Sequence, residues 1–285
     1  MMTEILVIGA SGNIGETVVS TLMKENIHVR AATSKENNLP APTDQITHVH
    51  FDFLRTETYE FALGKAEKVF FIRPPQLAKP KEEIFPFLSF LKEKKVSHVV
   101  FVSLLGVEKN PVTPHHKIEK EMVRLELPYT FLRPSFFMQN LNTTHLEDIQ
   151  KRDDLFIPAG KAKTSFIDTR DIGEAAAICL LDTGKYTGKA FDLTGSKALT
   201  YEEIAQILTK TLGRAITYSK PSLLKFRSTM IKRGEPKEFV NVMVMLYFIT
   251  QLGNAKKVTT DLEQLLGRTP TSFEQYALDY QAYFQ

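Results

Sequence analysis

The chain has 285 residues, 43% hydrophobic and 24% charged, which is enough for a large buried core. Its formal net charge is only +3, and acids interleave with bases, as in Lys92-Glu93-Lys94-Lys95, so no strong field for nucleic acid is expected. One cysteine, Cys179, excludes an internal disulfide and suits a reducing cytoplasm, and its apolar surroundings read as a buried, inert thiol.

Apolar runs alternate with helical patterns through the first half. The predicted strands are Ile5–Ile8, Val29–Ala32, Thr47–Phe51, Val69–Ile72, Val99–Ser103 and Tyr129–Leu132. Between them, Ile14, Val18, Val19 and Met23 share one helical face, and Ile84, Phe87, Leu88 and Leu91 another. Strands apolar on both faces and separated by helices predict an α/β fold, a Rossmann-type doubly wound parallel sheet. After Arg133 the pattern changes to a smaller, mainly helical lobe. The expected domains are therefore 1–133, a dinucleotide-binding core, and 134–285, a lobe for substrate or partner that returns at intervals to the sheet.

In that lobe, Asp168–Leu181 reads as a helix. Thr200-Tyr201-Glu202-Glu203 reads as a capping box for a helix that Gly213 ends, and Ser272-Phe273-Glu274-Gln275 as a second box. The segment Pro236–Leu252 is apolar nearly all round, which predicts a helix that is buried or lines a pocket or subunit interface. Its apolar part, Phe239–Ile249, is too short for the ~20 residues of a bilayer span. The N-terminus enters a strand directly, so no signal peptide is expected.

The sharpest chemical signal is Gly9-Ala10-Ser11-Gly12-Asn13-Ile14-Gly15, between the first strand and the first helix. Gly9 permits the tight turn, Gly12 lets backbone approach a pyrophosphate, and Gly15 lets the helix pack closely. The helix N-terminus then faces the phosphates. The second strand ends Val29-Arg30-Ala31-Ala32-Thr33-Ser34-Lys35, with no acid for a ribose 2′-hydroxyl. Thr33, Ser34 and Lys35, with Arg30 if it points outward, suit a 2′-phosphate and favour NADP over NAD. Asp52-Phe53 ends the third strand, where an acid or its backbone faces adenine or simply forms a turn.

No tyrosine far enough from the C-terminus has Lys four residues on, so the Tyr-x-x-x-Lys proton-transfer pair is absent. In its expected place stands Pro114-His115-His116-Lys117-Ile118-Glu119-Lys120. His115 and Glu119 share a helical face, so His115 is either a proton donor near neutrality or a structural partner of Glu119. No third ligand accompanies the His pair, and no metal site is expected.

Four segments in order resemble the NmrA-like atypical short-chain dehydrogenase/reductase family, most nearly its bacterial NADPH quinone reductases and triphenylmethane reductases. They are Gly9–Gly15; Val102-Ser103-Leu104-Leu105-Gly106; Pro128–Pro134 running on to Phe137–Asn140; and Phe166–Ile172. Phe191-Asp192-Leu193-Thr194-Gly195 also fits. The resemblance spans essentially the whole chain. It implies that Gly9, Ser11, Gly12, Asn13, Ile14 and Gly15 hold the pyrophosphate, with Thr33 and Lys35 near the ribose and Asp52 and Phe53 near adenine. Ile72, Arg73 and Pro74 would follow the fourth strand. Arg73 has no clear family role; it is a surface cation, or it binds an acidic substrate or cofactor phosphate. Ser103 and Leu104 would lie by the nicotinamide, with Pro134 and Phe136 on the substrate side.

Three functions follow as expectations. The first is an NADPH-dependent reductase passing hydride to a quinone-like or other electrophilic small molecule, with Phe136, Phe137, Met138, Tyr247 and Phe248 as apolar walls. The second is a non-catalytic NAD(P) redox sensor that docks a protein partner. The third is a nucleotide-sugar epimerase, which the missing Tyr-Lys pair disfavours. A cytoplasmic location without nucleic-acid or membrane partners is expected.

Overall fold

Ile5, Leu6 and Val7 have no polar edge to offer water, and such a strand persists only between two layers of helix. The computed structural model, which describes residues 4–34 and 43–285, has that arrangement. Along the chain run β1 (Glu4–Ile8), α1 (Asn13–Lys24), β2 (His28–Thr33), β3 (Ile46–His50), α2 (Tyr59–Leu63), β4 (Lys68–Ile72), α3 (Pro80–Glu83), α4 (Phe85–Glu93), β5 (His98–Val102), α5 (Pro114–Arg124), β6 (Tyr129–Pro134) and β7 (Phe136–Phe137). There follow α6 (Leu146–Arg152), β8 (Lys163–Ile167), α7 (Thr169–Leu181), α8 (Thr183–Tyr186), β9 (Lys189–Leu193), β10 (Ala198–Thr200), α9 (Tyr201–Leu212), α10 (Leu223–Lys232), α11 (Lys237–Gln251), α12 (Asp261–Leu266), α13 (Phe273–Asp279) and α14 (Gln281–Phe284).

The described residues divide into two compact units. One comprises Met1–Pro134, Thr169–Leu193 and Asp261–Gly267; the other comprises Ser135–Asp168, Thr194–Thr260 and Arg268–Gln285. In the first, seven strands form one sheet in the order β3-β2-β1-β4-β5-β6-β9, with every neighbouring pair parallel. The strand order reverses between β1 and β4, and open sheets of this kind bind ligands beyond the carboxyl ends at that point. The edge strand β9 escaped prediction from apolar runs because Lys189 and Ala190 are exposed. Ile84, Phe87, Leu88 and Leu91 are fully buried, as their spacing predicts, although the helix breaks into two at Ile84 ahead of Pro86. Below them Phe51, Tyr59, Phe71, Phe87 and Phe101 pack ring against ring.

The second unit has a three-stranded sheet, β10-β8-β7, antiparallel then parallel, and the helices α6, α9, α10, α11, α13 and α14. The Thr200 hydroxyl accepts from the Glu203 N–H at 3.2 Å and the Glu203 carboxylate accepts from the Thr200 N–H at 2.7 Å, so that capping box closes. At α13 Ser272 caps, but the Gln275 amide donates to Asp279 at 2.7 Å, so the return bond of the second box is missing. Helix α11 is not buried all round. Val240, Met243, Tyr247 and Thr250 face the core, while Val242, Met245 and Phe248 are each 50% exposed. No helix of the described residues is long and apolar enough to cross a bilayer.

Candidate nucleotide and acceptor site

The glycine turn is built by close approach. Gly9 has φ 82°, and the N–H groups of Gly9 and Ala10 both donate to the Ala32 carbonyl of β2, at 3.0 and 3.2 Å. A methyl on Gly15 would lie 2.1 Å from the Gly9 carbonyl oxygen, so only glycine lets α1 press against the turn. A methyl on Gly12 would meet only that same oxygen, at 3.4 Å, and Ser11, Gly12 and Asn13 are exposed. Gly12 is the N-cap, and no side chain caps the helix. The first N–H groups of α1 therefore point to open space, which is the chemistry that holds a pyrophosphate. Ile72 closes the other side, its Cγ2 3.0 Å from where a Gly9 Cβ would stand. Gly173 of α7 was not singled out from sequence. A methyl there would strike Thr17 and the Ile14 carbonyl, so it fixes α1 from behind. Its signal was a glycine inside an apolar helix.

At the adenosine end, Thr33 is nearly buried with its hydroxyl 3.4 Å from that of Ser11, and Ser34 is exposed beside it. Lys35 lies outside the described residues. Arg30 does not point outward. Its guanidinium donates to the Ala62 and Phe61 carbonyls at 2.8 and 2.5 Å and lies 3.4 Å from Glu4, so it caps α2 and does not await a phosphate. The Asp52 carboxylate accepts from the Leu54 N–H at 2.9 Å, closing a turn. The Phe53 ring is core, edge-on to Phe51 and Phe87, which leaves only its backbone for adenine.

Beyond β4, Arg73 folds back on its own loop. Its Nη1 donates to the carbonyls of Pro74, Pro75 and Leu77 at 2.7, 3.1 and 2.6 Å, and burial lowers its pKa. It is therefore not a free surface cation. Beyond β5, the Ser103 N–H donates to Leu132, and Leu105 donates to the Pro134 carbonyl at 3.0 Å; Leu104 between them is half-buried.

His115 opens α5 and stacks on Phe101, centroids 6.0 Å apart. Burial, with the Arg73 charge, pushes its pKa down to about 3. The ring is uncharged at neutral pH and carries no imidazolium proton to donate there. Nor does it pair with Glu119. That carboxylate forms a forked ion pair with Arg133, at 2.6 and 3.0 Å, and holds the Arg133 pKa up. It is His116 that bonds backbone, its Nδ1 3.0 Å from the Val107 carbonyl.

Phe136, Phe137 and Tyr247 belong to the second unit. Phe136 and Phe137 are half-buried on β7, paired with Phe166 and Ile167. Tyr247 is a core residue and not an open wall: 6% exposed, with its hydroxyl 2.6 Å from His145 Nε2. Cys179 is buried, and desolvation pushes its thiol up to about 12, so it is inert. Among the described residues no three His, Cys, Asp or Glu side chains are grouped to hold a metal ion.

A seven-stranded parallel sheet with an uncapped glycine turn has many relatives, and sequence comparison decides among them. The NmrA-like family model matches residues 1–278. The chain belongs to the NmrA-like family. Among similar proteins is the prestalk A differentiation protein A of Dictyostelium discoideum, 28% identical over 279 residues, covering 96% of this chain and 91% of that protein. An NAD(P)H azoreductase of Xenophilus azovorans is 28% identical over 291 residues, covering 98% of this chain and 99% of that one. The solved NADPH-dependent quinone oxidoreductase of Escherichia coli, with NADPH bound, shares the fold at a TM-score of 0.86 and 22% identity, over 99% of this chain and 100% of that one.

Proposed function

We propose that this NmrA-like protein is an NADPH-dependent reductase that passes hydride to a quinone-like acceptor. One observation carries the reading: an uncapped helix N-terminus behind Gly9, Gly12 and Gly15, beside a strand tip that bears Thr33 and Ser34 and no carboxylate. Relatives named as an NAD(P)H azoreductase and an NADPH-dependent quinone oxidoreductase support it. Reduced nicotinamide would supply the hydride.

The protein's own residues bind and orient. The turn N–H groups of α1 hold the pyrophosphate, and Thr33 and Ser34, with Lys35, receive the 2′-phosphate. The backbone beyond Asp52 faces adenine. Ile72, Pro74, Ser103, Leu104 and Pro134 border the nicotinamide. An electron-poor acceptor needs mainly proximity, and water protonates the product, so the missing Tyr-Lys pair is no obstacle.

The test titrates NADPH and NADH by their fluorescence, then follows NADPH oxidation with a panel of quinones. The expected result is NADPH binding tighter by at least about tenfold, or ~1.4 kcal/mol, with turnover. Tight binding without turnover on any acceptor would favour a second reading, a redox sensor that docks a protein partner. The neutral His115 and the absent Tyr-Lys pair speak for that reading.

A further inference from the structure

Three buried side-chain atoms beyond the sheet have no hydrogen-bond partner among the described residues: Arg73 Nε, Ser103 Oγ and His115 Nδ1. Each such atom costs about 1–3 kcal/mol when left unpaired, and these three sit on adjoining elements past the carboxyl ends of β4 and β5, where a ligand would pair them.

The backbone register brings them together. Ile72 pairs with Val102 in parallel, so Arg73 and Ser103 come next on neighbouring strands. Side chains alternate along a strand, so these two follow Phe71 and Phe101, whose rings stack at 4.6 Å. The His115 ring covers Phe101 from α5. The atoms also share a chemistry. Arg73 Nε can only donate, the Ser103 hydroxyl can donate, and a neutral imidazole turned with Nδ1–H inward adds a third donor. The carboxylate facing Arg73 is Glu83, which accepts from the Lys79 N–H at 2.6 Å. Such a group fits an electron-rich oxygen and not a cation.

We propose that Arg73, Ser103 and His115 form an oxyanion hole for a carbonyl oxygen of the hydride acceptor, and that this hole selects quinones over cationic dyes. The inference rests on the reductase reading. When the C4–H bond of the reduced nicotinamide breaks, hydride adds to one quinone oxygen, the ring becomes aromatic, the π pair of the other C=O moves onto its oxygen, and NADP is left oxidised. The resulting phenolate oxygen accepts from the three donors until a solvent proton neutralises it. Donors fixed in advance at the atom where charge develops favour the transition state over the ground state. The same guanidinium repels an acceptor whose charge is positive, such as a triarylmethane dye.

The experiment uses the full chain. Ser103→Ala is expected to lower kcat/KM for a quinone by about a hundredfold. Arg73→Gln is expected to raise the ratio of dye to quinone kcat/KM. A second readout needs no turnover: 4-nitrophenol added to the wild-type protein with NADP bound shows its phenolate absorbance, which Ser103→Ala and Arg73→Gln weaken. Arg73→Gln loses the Nη1 bonds to its loop and risks misfolding; Ser103→Ala removes one oxygen and keeps the test sharp. Unchanged quinone turnover in Ser103→Ala, equal losses on quinone and dye in Arg73→Gln, or 4-nitrophenol bound only as the neutral phenol would each overturn the hole. If the wild type binds NADPH but reduces no quinone, the reductase reading falls instead, and the 4-nitrophenol arm still decides whether the hole exists.

Discussion

Each unit buries a neutral histidine, and the Nε2 atoms of the two are paired differently. In the first, His98 Nε2 lies 2.8 Å from the Thr130 hydroxyl, which itself donates to the Tyr186 carbonyl at 2.8 Å. The hydroxyl proton is committed, so His98 must donate from Nε2, and the chain ends in backbone. In the second, His145 Nε2 lies 2.6 Å from the Tyr247 hydroxyl. That contact joins two side chains and reaches no backbone carbonyl. Desolvation pushes both histidines down to about 4. The difference teaches where rigidity lies. A network anchored on sheet backbone moves only with the sheet, whereas one made of a phenol and an imidazole depends on how helices pack.

The largest test of this comparison replaces one glycine in each unit. Gly15→Ala places a methyl 2.1 Å from the Gly9 carbonyl oxygen, and Gly195→Ala places one 2.1 Å from that of Phe166. Both obstacles are backbone, so each change is expected to cost at least about 3 kcal/mol, read as a lowered urea midpoint. Only Gly15→Ala is expected to abolish NADPH binding as well; undiminished NADPH binding in Gly15→Ala would contradict this.

Acid is the next largest. Both histidines titrate at about 4 when folded against an ordinary 6.5, so the unfolded chain takes up protons first. Stability is full above pH 6.5 and falls as the pH drops towards 4. Each histidine is expected to cost roughly 2 kcal/mol by pH 5. Urea midpoints that are the same at pH 7 and pH 5 would contradict this.

The smallest effect is expected from Tyr247→Phe. It leaves His145 Nε2 without its partner, at about 1–3 kcal/mol. The quinone KM should not move; if KM rises while stability holds, Tyr247 acts as a wall of the acceptor site after all.

The sheet was legible because β1, β4 and β5 are apolar on both faces, and no other environment suits such runs. The glycine turn was legible because its spacing is a backbone requirement. β9 was not, because an edge strand with Lys189 and Ala190 exposed carries no apolar signal. Nor was the fate of Arg30, Glu119 or Tyr247. Spacing puts Glu119 on the same helical face as His115, but Arg133 on β6 offers it a forked ion pair that a neutral imidazole cannot match.

By itself, then, the sequence determined the parallel sheet, the turn Gly9–Gly15 and the want of an acid after Thr33, since these follow from local sterics and from apolar periodicity. Tertiary structure alone decided which polar groups found partners. Arg30 found the carbonyls of α2, Glu119 found Arg133, and Arg73 Nε, Ser103 Oγ and His115 Nδ1 were left without one. Hydrogen bonding depends on distances of a few ångströms between residues far apart in the chain, and only packing sets those.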